Sequence, residues 1–578
     1  MVPIMPSNPT QTPDNEQIIN GFVQNIQKNP NDMNNYYQLG HLLKSLERFE
    51  DAKKCYVRIL QKFSSDVDTL FDMAFSCHHL DQLEEAVKWY KKLLEIDSEH
   101  LQALINMGHI YRVHGNIQQA CHYFGIAGTR INYDGFEVLR HISLPVIYQS
   151  RDDILFYRKR LTDFITNRHV QIDDPLSHVG ITNFLLAYHG LDDTLIQKAI
   201  ADFYYRTCPV LNYTSPYVNQ PNCSDKISIG FATSFFLETH PVGKVFEGLI
   251  KYLDRKQFRV ILFHSPGRSV VNSRLHKEYK DEIQYIPSDL SQCHEIIAKE
   301  KLDILFYPEI GMEPLFYFLA FSRLARVQCV GWGHPVTSGI QNMDYYISST
   351  DMEPENAMMH YTEKLVMLKT FISYFFRPTV NKPRLNRSDF DFPEGHWYVC
   401  PQNIQKFHPD MDLIFSEILK NDPKGWIILC SSKYPVLTQQ LKKRMKNMPG
   451  LIHRVIFFNN MPLGKFLQFL NLCDAVIDVP FFSSGTTTLE AISAGVPIVT
   501  MPGPFFRNRL AYGCFKRINV LDTVAKNLNH FVLLANQLAC DKGFRNYVSQ
   551  KILLNNDRLF NNPEVIRAHE QFFIHISQ

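Results

Sequence analysis

Residues 474–503, DAVIDVPFFSSGTTTLEAISAGVPIVTMPG, decide the fold of this chain. The apolar run from Ala475 to Val479 has the length of a buried strand, and Ser483-Ser484-Gly485 breaks it. Helical spacing then resumes from Thr486 to Ser493, Gly495 ends the helix, and a second apolar run follows. The stretch therefore predicts a strand, a turn rich in glycine, serine and threonine, a short helix and a second strand.

The predicted turn has the features of an anion site. Backbone N–H groups at the start of a helix lack partners within the helix and lie at the positive end of its dipole, so they favour a phosphate. The hydroxyls of Thr486, Thr487 and Thr488 add donors, and Glu490, one turn further, can accept hydrogen bonds from sugar hydroxyls. The alternative is an ordinary crossover between two parallel strands, in which the threonines only cap the helix.

Length and composition limit the class of protein. The chain has 578 residues, enough for about three or four domains. Its content of 45% hydrophobic and 20% charged residues is typical of globular proteins. A net charge of +2 gives no general electrostatic reason to expect nucleic acid or an anionic membrane as a partner. Twelve cysteines without C-x-x-C pairs favour reduced thiols and a cytoplasmic location.

Two further segments have simple interpretations. The polar, Pro- and Asn-rich start has neither the basic nor the apolar region of a signal peptide, and no apolar run reaches the roughly 18 residues of a membrane span. We expect a short disordered lead there. The basic cluster Lys442-Lys443-Arg444 is expected to lie on the solvated face of a helix.

Three columns of residues recur with a period of 34 residues in the N-terminal third. They are Gly40, Ala74 and Gly108; Ala52, Ala86 and Ala120; and Tyr56, Tyr90 and Phe124. Small residues let paired helices approach closely, and this period and pattern resemble tetratricopeptide repeats. We expect repeats at 33–66, 67–100 and 101–134, after a helix at 16–30. They either recognise a peptide or protein, or only cap the domain that follows.

Two sets of short apolar runs alternate with helical patterns after residue 225. The first set is 227–232, 259–264, 303–308, 327–332 and 343–348, and the second is 397–402, 425–432, 454–459, 475–480 and 497–502. This alternation predicts two doubly wound parallel sheets of α/β, Rossmann-like architecture, with a ligand in the crevice at the carboxyl ends of the strands. The predicted segments are a disordered lead (1–15), a helical repeat superhelix (16–140), a helical connection (141–225), a first Rossmann-like domain (226–380) and a second one with closing helices (381–578).

Polar residues follow the predicted strands where the crevice is expected. Asn403 and Lys406 come after the strand at 397–402, and a lysine ammonium there can neutralise a diphosphate. His240 follows the first strand of the first domain and is suited to proton transfer or to hydrogen bonding with a sugar diphosphate. The alternative for His240 is packing at a helix end, and for His189 it is burial with a single hydrogen bond.

Five long motifs occur in one order along the chain. They are IGFATSFFLETHPVGK (229–244), VQCVGWGHPVTSGIQNMDYYISS (327–349), HYTEKLVML (360–368), QNIQKFHPD (402–410) and SSGTTTLEAISAGVPIVTMPG (483–503). Together they resemble the nucleocytoplasmic O-linked N-acetylglucosamine transferases and their bacterial relatives. That family joins tetratricopeptide repeats to a two-domain glycosyltransferase of the B fold, and the resemblance covers nearly the whole chain.

The resemblance implies a role for each matching residue. It puts His240 beside the sugar diphosphate and makes Lys406 the cation that assists departure of the nucleotide. The implied donor-binding residues are Pro241, Asn403, Ser484, Gly485, Thr486, Thr487 and Glu490, with Glu490 on the ribose. The GHPVTSG loop is expected to line the sugar side of the cleft with His334, Thr337, Ser338 and Gly339.

The family precedent also implies a reaction. A Ser or Thr hydroxyl of a protein held by the repeats attacks the anomeric carbon of a nucleotide sugar, and the nucleotide leaves from the opposite face. The preferred donor is UDP-N-acetylglucosamine. No metal or other cofactor is expected. His240 is the first candidate for the general base and His189 the second, unless the proton passes to a phosphate oxygen or to water. The acidic pairs DFD (389–391) and DVD (66–68) are interpreted as chance rather than as metal ligands.

Four positions depart from the animal members of the family. Phe235, Gly485, Phe466 and Glu490 stand where animal enzymes carry Asp, His, His and Asp. The SSGTTT turn is closer to bacterial members and to the plant O-fucosyltransferase branch, which leaves the donor base and sugar open. The alternatives are a protein O-fucosyltransferase or glucosyltransferase, an enzyme acting on glycans or small molecules with the repeats as a scaffold, or a catalytically weak interaction protein. Intact Lys406, Glu490 and His240 argue against the last.

Overall fold

The computed structural model describes residues 13–131, 133–220, 224–265, 274–379, 385–448, 450 and 452–578. The chain divides into two units, residues 1–145 with 177–179, and residues 146–176 with 180–578. Most of the predicted disordered lead lies outside the described residues, and the first helix begins at Pro13. Among the described residues, we find no helix with the length and apolar character needed to cross a membrane.

The first unit consists of helices that pack in consecutive pairs. They are α1 (Pro13–Lys28), α2 (Met33–Ser45), α3 (Phe49–Lys62), α4 (Val67–His79), α5 (Leu83–Ile96), α6 (Leu101–Val113), α7 (Ile117–Arg130) and α8 (Gly135–Ile142). The predicted repeats correspond to the pairs α2–α3, α4–α5 and α6–α7, so the helical-repeat prediction is confirmed.

The three sequence columns meet inside each helix pair. A Cβ atom added at Gly40 would lie 2.7 Å from Cε1 of Tyr56, and one added at Gly108 would overlap the ring of Phe124. Tyr56 and Phe124 are fully buried. The small residue on the first helix of a pair thus leaves room for the aromatic ring of the second, which explains why the columns share one period.

Replacing Gly108 by alanine should therefore destabilise the repeat unit. The added methyl group must displace the ring of Phe124, and such overpacking typically costs about 1–3 kcal/mol. Gly21 on α1 is the matched control, because a Cβ added there meets nothing within 4 Å; Gly21→Ala should stabilise by about 0.5–1 kcal/mol through helix propensity. Urea unfolding followed by circular dichroism checks both values. Equal stability of Gly108→Ala and wild type would contradict this packing.

The predicted helical connection folds largely with the second unit. Its helices are α9 (Arg151–Asn167), α10 (Pro175–His178) and α11 (Thr194–Thr207), with 3-10 helices at Phe184–His189 and Pro209–Asn212. Two short parts of this segment, residues 141–145 and 177–179, group with the first unit instead.

The first sheet has seven parallel strands in the order β3-β2-β1-β4-β5-β6-β7. The strands are β1 (Ile227–Ala232), β2 (Phe258–His264), β3 (Ile283–Tyr285), β4 (Ile304–Tyr307), β5 (Val327–Val330), β6 (Tyr345–Ser349) and β7 (Lys364–Leu368). Between them lie α12 (Pro241–Tyr252), α13 (Arg274–Glu278), α14 (Leu290–Lys299) and α15 (Pro314–Leu319), with a 3-10 helix at Ala357–His360. The sequence did not predict β3 and β7, because both are partly exposed edge strands without a continuous apolar run.

The second sheet has five parallel strands in the order β10-β9-β8-β11-β12. The strands are β8 (His396–Cys400), β9 (Gly425–Cys430), β10 (Val455–Phe458), β11 (Ala475–Ile477) and β12 (Ile498–Val499). The α-helices are α16 (Met411–Asn421), α17 (Pro435–Met445), α18 (Leu463–Leu472), α19 (Thr486–Ser493), α20 (Leu510–Arg517), α21 (Leu528–Cys540), α22 (Lys542–Asn555) and α23 (Pro563–Ser577). Short 3-10 helices lie at Arg387–Asp389, Ile404–Lys406, Ile452–Arg454, Phe506–Asn508 and Asn556–Leu559. The prediction of two doubly wound parallel sheets is confirmed.

The last helix packs on the first sheet rather than on the second. The ring of Phe573 on α23 lies 6.4 Å from that of Phe258 and 6.0 Å from that of Phe306, measured between centroids. The chain therefore returns to the first sheet after completing the second. The predicted domain 381–578 assigns this last helix to the second domain, although it packs on the first sheet.

Candidate active site

Each sheet has one point at which the strand order reverses. In the first sheet it lies between the neighbours β1 and β4, and in the second between β8 and β11. Ligands of doubly wound sheets bind outside the carboxyl ends of the strands at such a point. His240, Lys406 and the turn before α19 follow β1, β8 and β11 respectively. The residues predicted from sequence thus follow three of the four strands at the two switch points.

Asp478 organises the turn that leads into α19. Its carboxylate is buried and accepts hydrogen bonds from Ser483 Oγ at 2.6 Å, Ser484 N at 2.8 Å, Ser484 Oγ at 3.0 Å and Thr500 Oγ1 at 2.7 Å. The Ser484 hydroxyl also lies 2.6 Å from Thr488 Oγ1. The hydroxyls of Ser484 and Thr488, expected at a phosphate, therefore hold the turn together. An acid directly after a buried strand was the sequence signal for Asp478, and our sequence analysis missed it.

The open part of the turn is Gly485, Thr486 and Thr487. All three are partly exposed, and a Cβ added at Gly485 would meet its nearest atoms, in Trp332 and Leu510, only at 3.7 Å. Backbone N–H groups in the first turn of a helix have no helical partner. The start of α19 therefore has both donors and open space for the predicted anion. Gly485, Thr486 and Thr487 form this open part, whereas Ser484 and Thr488 are used within the turn.

Replacing Asp478 by alanine should unfold this turn. Several buried donors would lose their acceptor, and a loss of about 2–4 kcal/mol in the free energy of unfolding is expected for a buried network of this kind. Asp557 is the control: it is almost fully exposed and, among the described residues, its carboxylate pairs with Arg377, so Asp557→Ala should change stability by less than about 0.5 kcal/mol. Thermal unfolding of both variants is the measurement. An Asp478→Ala protein that melts with the wild type would refute the role given to Asp478.

Glu490 is buried on α19 and forms an ion pair that the sequence did not predict. Its Oε1 accepts a hydrogen bond from Nζ of Lys244 at 2.7 Å. Lys244 lies on α12, which follows β1 of the first sheet, whereas α19 follows β11 of the second. The pair therefore joins the two sheets at the crevice.

Lys406 lies at the end of the 3-10 helix that follows β8. Its Nζ donates to Gln402 Oε1 at 2.8 Å and to the Ser483 carbonyl at 3.3 Å, and it lies 4.7 Å from the centroid of the Phe482 ring. An ammonium has three N–H donors, so one has no partner among the described residues. Burial lowers the pKa of Lys406 to about 8, and the charge of Asp478 partly opposes that shift. The side chain is thus a cation at neutral pH with a free donor.

Asn403 and Arg444 frame the same segment. Asn403 is exposed, and its carbonyl accepts the backbone N–H of Lys406 at 3.0 Å. Arg444 was expected on a solvated helix face, but it is buried and binds both carboxylate oxygens of Asp412 at 2.8 Å. It also donates to the Phe407 carbonyl at 2.9 Å. The correction has a physical reason, because a guanidinium can satisfy several acceptors that no run of sequence letters reveals.

His240 caps the N-terminus of α12, immediately before Pro241. Its Nδ1 accepts the backbone N–H of Val242 at 3.2 Å, and its ring stacks on Phe235 with centroids 4.2 Å apart. Burial lowers the pKa of His240 to about 4, so the ring is neutral at pH 7. Because Nδ1 is the acceptor, the ring proton lies on Nε2. This tautomer favours hydrogen-bond donation over proton abstraction.

His189 is enclosed by the protein. Its Nε2 lies 2.7 Å from the hydroxyl of Tyr148, the residue is 1% exposed, and burial holds its pKa well below the usual value for histidine. A general base must come within hydrogen-bond reach of the proton that it removes. The structure thus gives His189 the hydrogen-bonded, buried environment that the sequence left as its alternative.

The GHPVTSG loop is held by Glu363. Thr337 Oγ1 donates to Glu363 Oε2 at 2.6 Å, and the Ser338 N–H and hydroxyl both bind Oε1. Gly339 has a φ of 74°, which favours glycine. The carboxylate of Glu363 thus accepts hydrogen bonds from the hydroxyls of Thr337 and Ser338. That this loop lines the sugar side of the cleft stays a prediction.

Unpartnered polar atoms nevertheless gather near this loop. His334 Nε2, Trp332 Nε1 and Glu309 Oε1 are buried without a hydrogen-bond partner among the described residues. Glu309 follows β4, which is the neighbour of β1 at the switch point of the first sheet. Its Oε2 accepts a hydrogen bond from the Met312 N–H at 2.9 Å. Burial raises the pKa of Glu309 to about 8. Its position after a predicted strand was the signal that could have identified it.

The acidic pairs have structural partners. Asp66 caps α4 by accepting the Thr69 N–H at 2.9 Å, and Asp389 Oδ2 accepts the Asn386 N–H at 2.7 Å. Within the described residues, one trio has the mutual spacing of metal ligands, His396, Asp422 and Cys540. His396 is the first residue of β8, whereas the crevice follows the last residue of that strand.

Comparison with known proteins relates this geometry to a family. The model of glycosyl transferase family 41 matches residues 382–565, and that of a tetratricopeptide repeat matches residues 34–61 and 67–100. The chain is similar to the probable UDP-N-acetylglucosamine–peptide N-acetylglucosaminyltransferase SPINDLY of Petunia hybrida, with 24% identity over 397 residues, 64% of this chain and 40% of that protein. It is also similar to the protein SEC of Arabidopsis thaliana, which carries the same description, with 22% identity over 306 residues, 50% of this chain and 30% of that protein. The chain thus spans well under half the length of these relatives.

A solved structure has the same fold. A mutant O-GlcNAc transferase of Thermobaculum terrenum superimposes with a TM-score of 0.65 over 98% of this chain and 99% of that one, at 18% sequence identity. At this identity the likeness shows a shared fold. Residues 382–565 therefore match glycosyl transferase family 41, and the chain as a whole is similar to O-linked N-acetylglucosamine transferases that carry tetratricopeptide repeats.

Proposed function

We propose that this protein is an inverting, metal-independent glycosyltransferase that moves a sugar from a nucleoside diphosphate onto Ser or Thr hydroxyls of proteins. UDP-N-acetylglucosamine is the first-choice donor. The observation that carries the proposal is the crevice: a cation with a free donor, Lys406, lies beside the start of α19, and a buried carboxylate, Glu490, lies one turn into the same helix. This set complements a diphosphate and a ribose.

The proposed chemistry is a single displacement. The acceptor oxygen forms a bond to the anomeric carbon while the bond from that carbon to the phosphate oxygen breaks, and the electron pair leaves with the nucleoside diphosphate. The growing charge on the diphosphate is stabilised by Lys406 and by the first amides of α19, which are held in place before the reaction. The crevice therefore acts most strongly on the leaving group.

His240 serves as a hydrogen-bond donor in this proposal. Its Nδ1 is bound to the Val242 N–H, so Nε2–H is free to hold the sugar diphosphate. With His240 neutral and protonated on Nε2, and with His189 enclosed, the acceptor proton passes to a phosphate oxygen or to water. Asn403, exposed beside Lys406, adds a further donor contact.

The repeats supply the acceptor site in this proposal, and the protein works in the cytoplasm. Support comes from helix pairs of the tetratricopeptide type and from the relatives, whose names describe peptide N-acetylglucosaminyltransferases. Phe235 and Gly485 differ from the animal pattern, which bears on the choice of donor sugar. Fucose from GDP-fucose or glucose from UDP-glucose is the second candidate.

A donor panel tests the proposal. The protein is incubated with labelled UDP-N-acetylglucosamine, UDP-glucose and GDP-fucose, with and without a mixture of peptides and unfolded proteins. We expect label on polypeptide from one donor. Label on glycans or small molecules alone would support the alternative in which the repeats are only a scaffold. Absence of turnover with every donor would support the alternative of a catalytically weak interaction protein.

Metal independence is a separate prediction. Since Lys406 and the start of α19 already face the diphosphate, a divalent ion adds no essential charge. Activity should persist in excess EDTA, and His240→Ala should lower the rate without changing that insensitivity. A protein that is inactive in EDTA and recovers with Mn²⁺ or Mg²⁺ would contradict the mechanism and return the acidic pair around Asp389 to consideration.

A further inference from the structure

The ion pair between Lys244 and Glu490 crosses the crevice between the two sheets. Lys244 Nζ lies 2.7 Å from Glu490 Oε1, and the two side chains are 26% and 9% exposed. Lys244 belongs to the first turn of α12, since its backbone N–H binds the carbonyl of the capping residue His240 at 3.0 Å. It therefore lies beside the residue expected to hold the donor.

Lys244 is in an unusual electrostatic position. The N-terminus of a helix carries partial positive charge and favours acids, so a lysine in the first turn is disfavoured there. The helices α12 and α19 pack against each other, and Lys406 adds another cation beside the turn before α19. The partner that offsets Lys244 is Glu490. Asp478 is saturated by hydrogen bonds from its own turn, and Glu247 on α12 pairs with Arg274. Burial raises the pKa of Glu309 to about 8, so this acid is neutral at pH 7.

This arrangement of charges favours the binding of an anion. The N-termini of α12 and α19 both follow strands at the switch points, as does Lys406, and a nucleoside diphosphate would bring negative charge to the same place. Glu490 accepts ribose hydroxyls in the proposed function, and its Oε1 is the atom that Lys244 occupies. Entry of the donor therefore changes the partners of both side chains.

We propose that Lys244 is a second donor-binding cation, contributed by the first sheet, which neutralises Glu490 before the donor binds and contacts the diphosphate oxygens once the donor has entered. The inference rests on the proposed function. Lys244 then couples donor binding to the contact between the two sheets, while Glu490 becomes free to hold the ribose.

The test compares variants in which the charge of Glu490 is absent, because an unpaired Glu490 would itself repel a diphosphate. UDP and GDP are first titrated into the wild type by calorimetry. The nucleoside diphosphate that binds, and the nucleoside from which it derives, are then titrated into the variants. We expect Lys244→Met/Glu490→Gln to bind this diphosphate about tenfold or more weakly than Glu490→Gln alone, as for loss of one charge-assisted hydrogen bond. Affinity for the nucleoside, which has no phosphate, should be the same in both variants.

Two further variants separate binding from folding. Lys244→Arg should recover most of the diphosphate affinity. Lys251→Met is the matched control, because Lys251 lies on the same helix and pairs with Glu278 at 3.1 Å, and it should bind the diphosphate like the wild type. Melting temperatures are recorded for all proteins, and the comparison uses those that remain folded.

Three results would overturn the inference. Equal diphosphate affinity of Glu490→Gln and the double variant would reduce Lys244 to a partner of Glu490. A parallel loss of nucleoside and diphosphate affinity would show a structural effect. Failure of the wild type to bind either nucleoside diphosphate would overturn the proposed function together with this inference, and so is distinguishable from failure of the Lys244 assignment alone.

Discussion

Replacing Lys406 by alanine is expected to lower the turnover of sugar transfer by about 100-fold or more, the usual effect of losing one well-aimed group that stabilises transition-state charge. The Lys406 ammonium lies beside the turn before α19 and keeps one donor free. Its interaction strengthens as charge develops on the leaving diphosphate. The effect should therefore fall mainly on kcat, and steady-state kinetics with the donor identified by the panel is the measurement.

Lys420→Ala provides the control, because Lys420 lies on α16 in the same domain and is largely exposed. Near wild-type turnover in Lys406→Ala would refute the assignment.

The pH profile adds a second check. The ammonium form is the active one, and burial lowers the pKa of Lys406 to about 8, so kcat/KM for the donor should fall as the pH rises above about 8. Lys406→Arg should lose this alkaline limb, since a guanidinium stays charged.

Removing the first two repeats is expected to abolish transfer to protein while leaving the nucleotide site intact. The in-phase columns end before residue 135, whereas every crevice residue follows residue 225. A protein beginning at Ser98 keeps His100, which caps α6 through the Ala103 N–H. We expect this protein to bind UDP with little change and to lose modification of polypeptides. Calorimetry and the labelled-donor assay measure the two quantities separately.

Slow hydrolysis of the donor gives the control for the truncated protein, because it needs the crevice but no polypeptide. Hydrolysis at the wild-type rate would show that the catalytic centre survives. Transfer to proteins at the wild-type rate would instead mean that the first two repeats do not recognise acceptors. A folded truncated protein that no longer binds UDP would place part of the donor site in the repeats.

The architecture was predictable because its signals are local. A small residue and an aromatic ring that must fit together, such as Gly40 and Tyr56, impose one period on the sequence. Buried parallel strands such as β1 and β9 read as continuous apolar runs. Edge strands escaped prediction, because β3 is half exposed and lacks such a run.

The site was predictable only in part, because its hydrogen-bond partners are distant in sequence. Motifs identified Lys406, His240 and the turn before α19. They did not reveal that Asp478 takes the Ser484 hydroxyl, or that Glu490 pairs with a lysine 246 positions away. A residue's tautomer is equally invisible in the sequence, and for His240 it is set by a single backbone N–H.

A structure of the protein crystallised with UDP tests the central claim most directly. The account predicts that the diphosphate lies within hydrogen-bond distance of Lys406 Nζ and of the amides that begin α19, with the ribose on the carboxylate of Glu490. A nucleotide bound elsewhere, or a crevice that stays empty at saturating UDP and GDP, would contradict it.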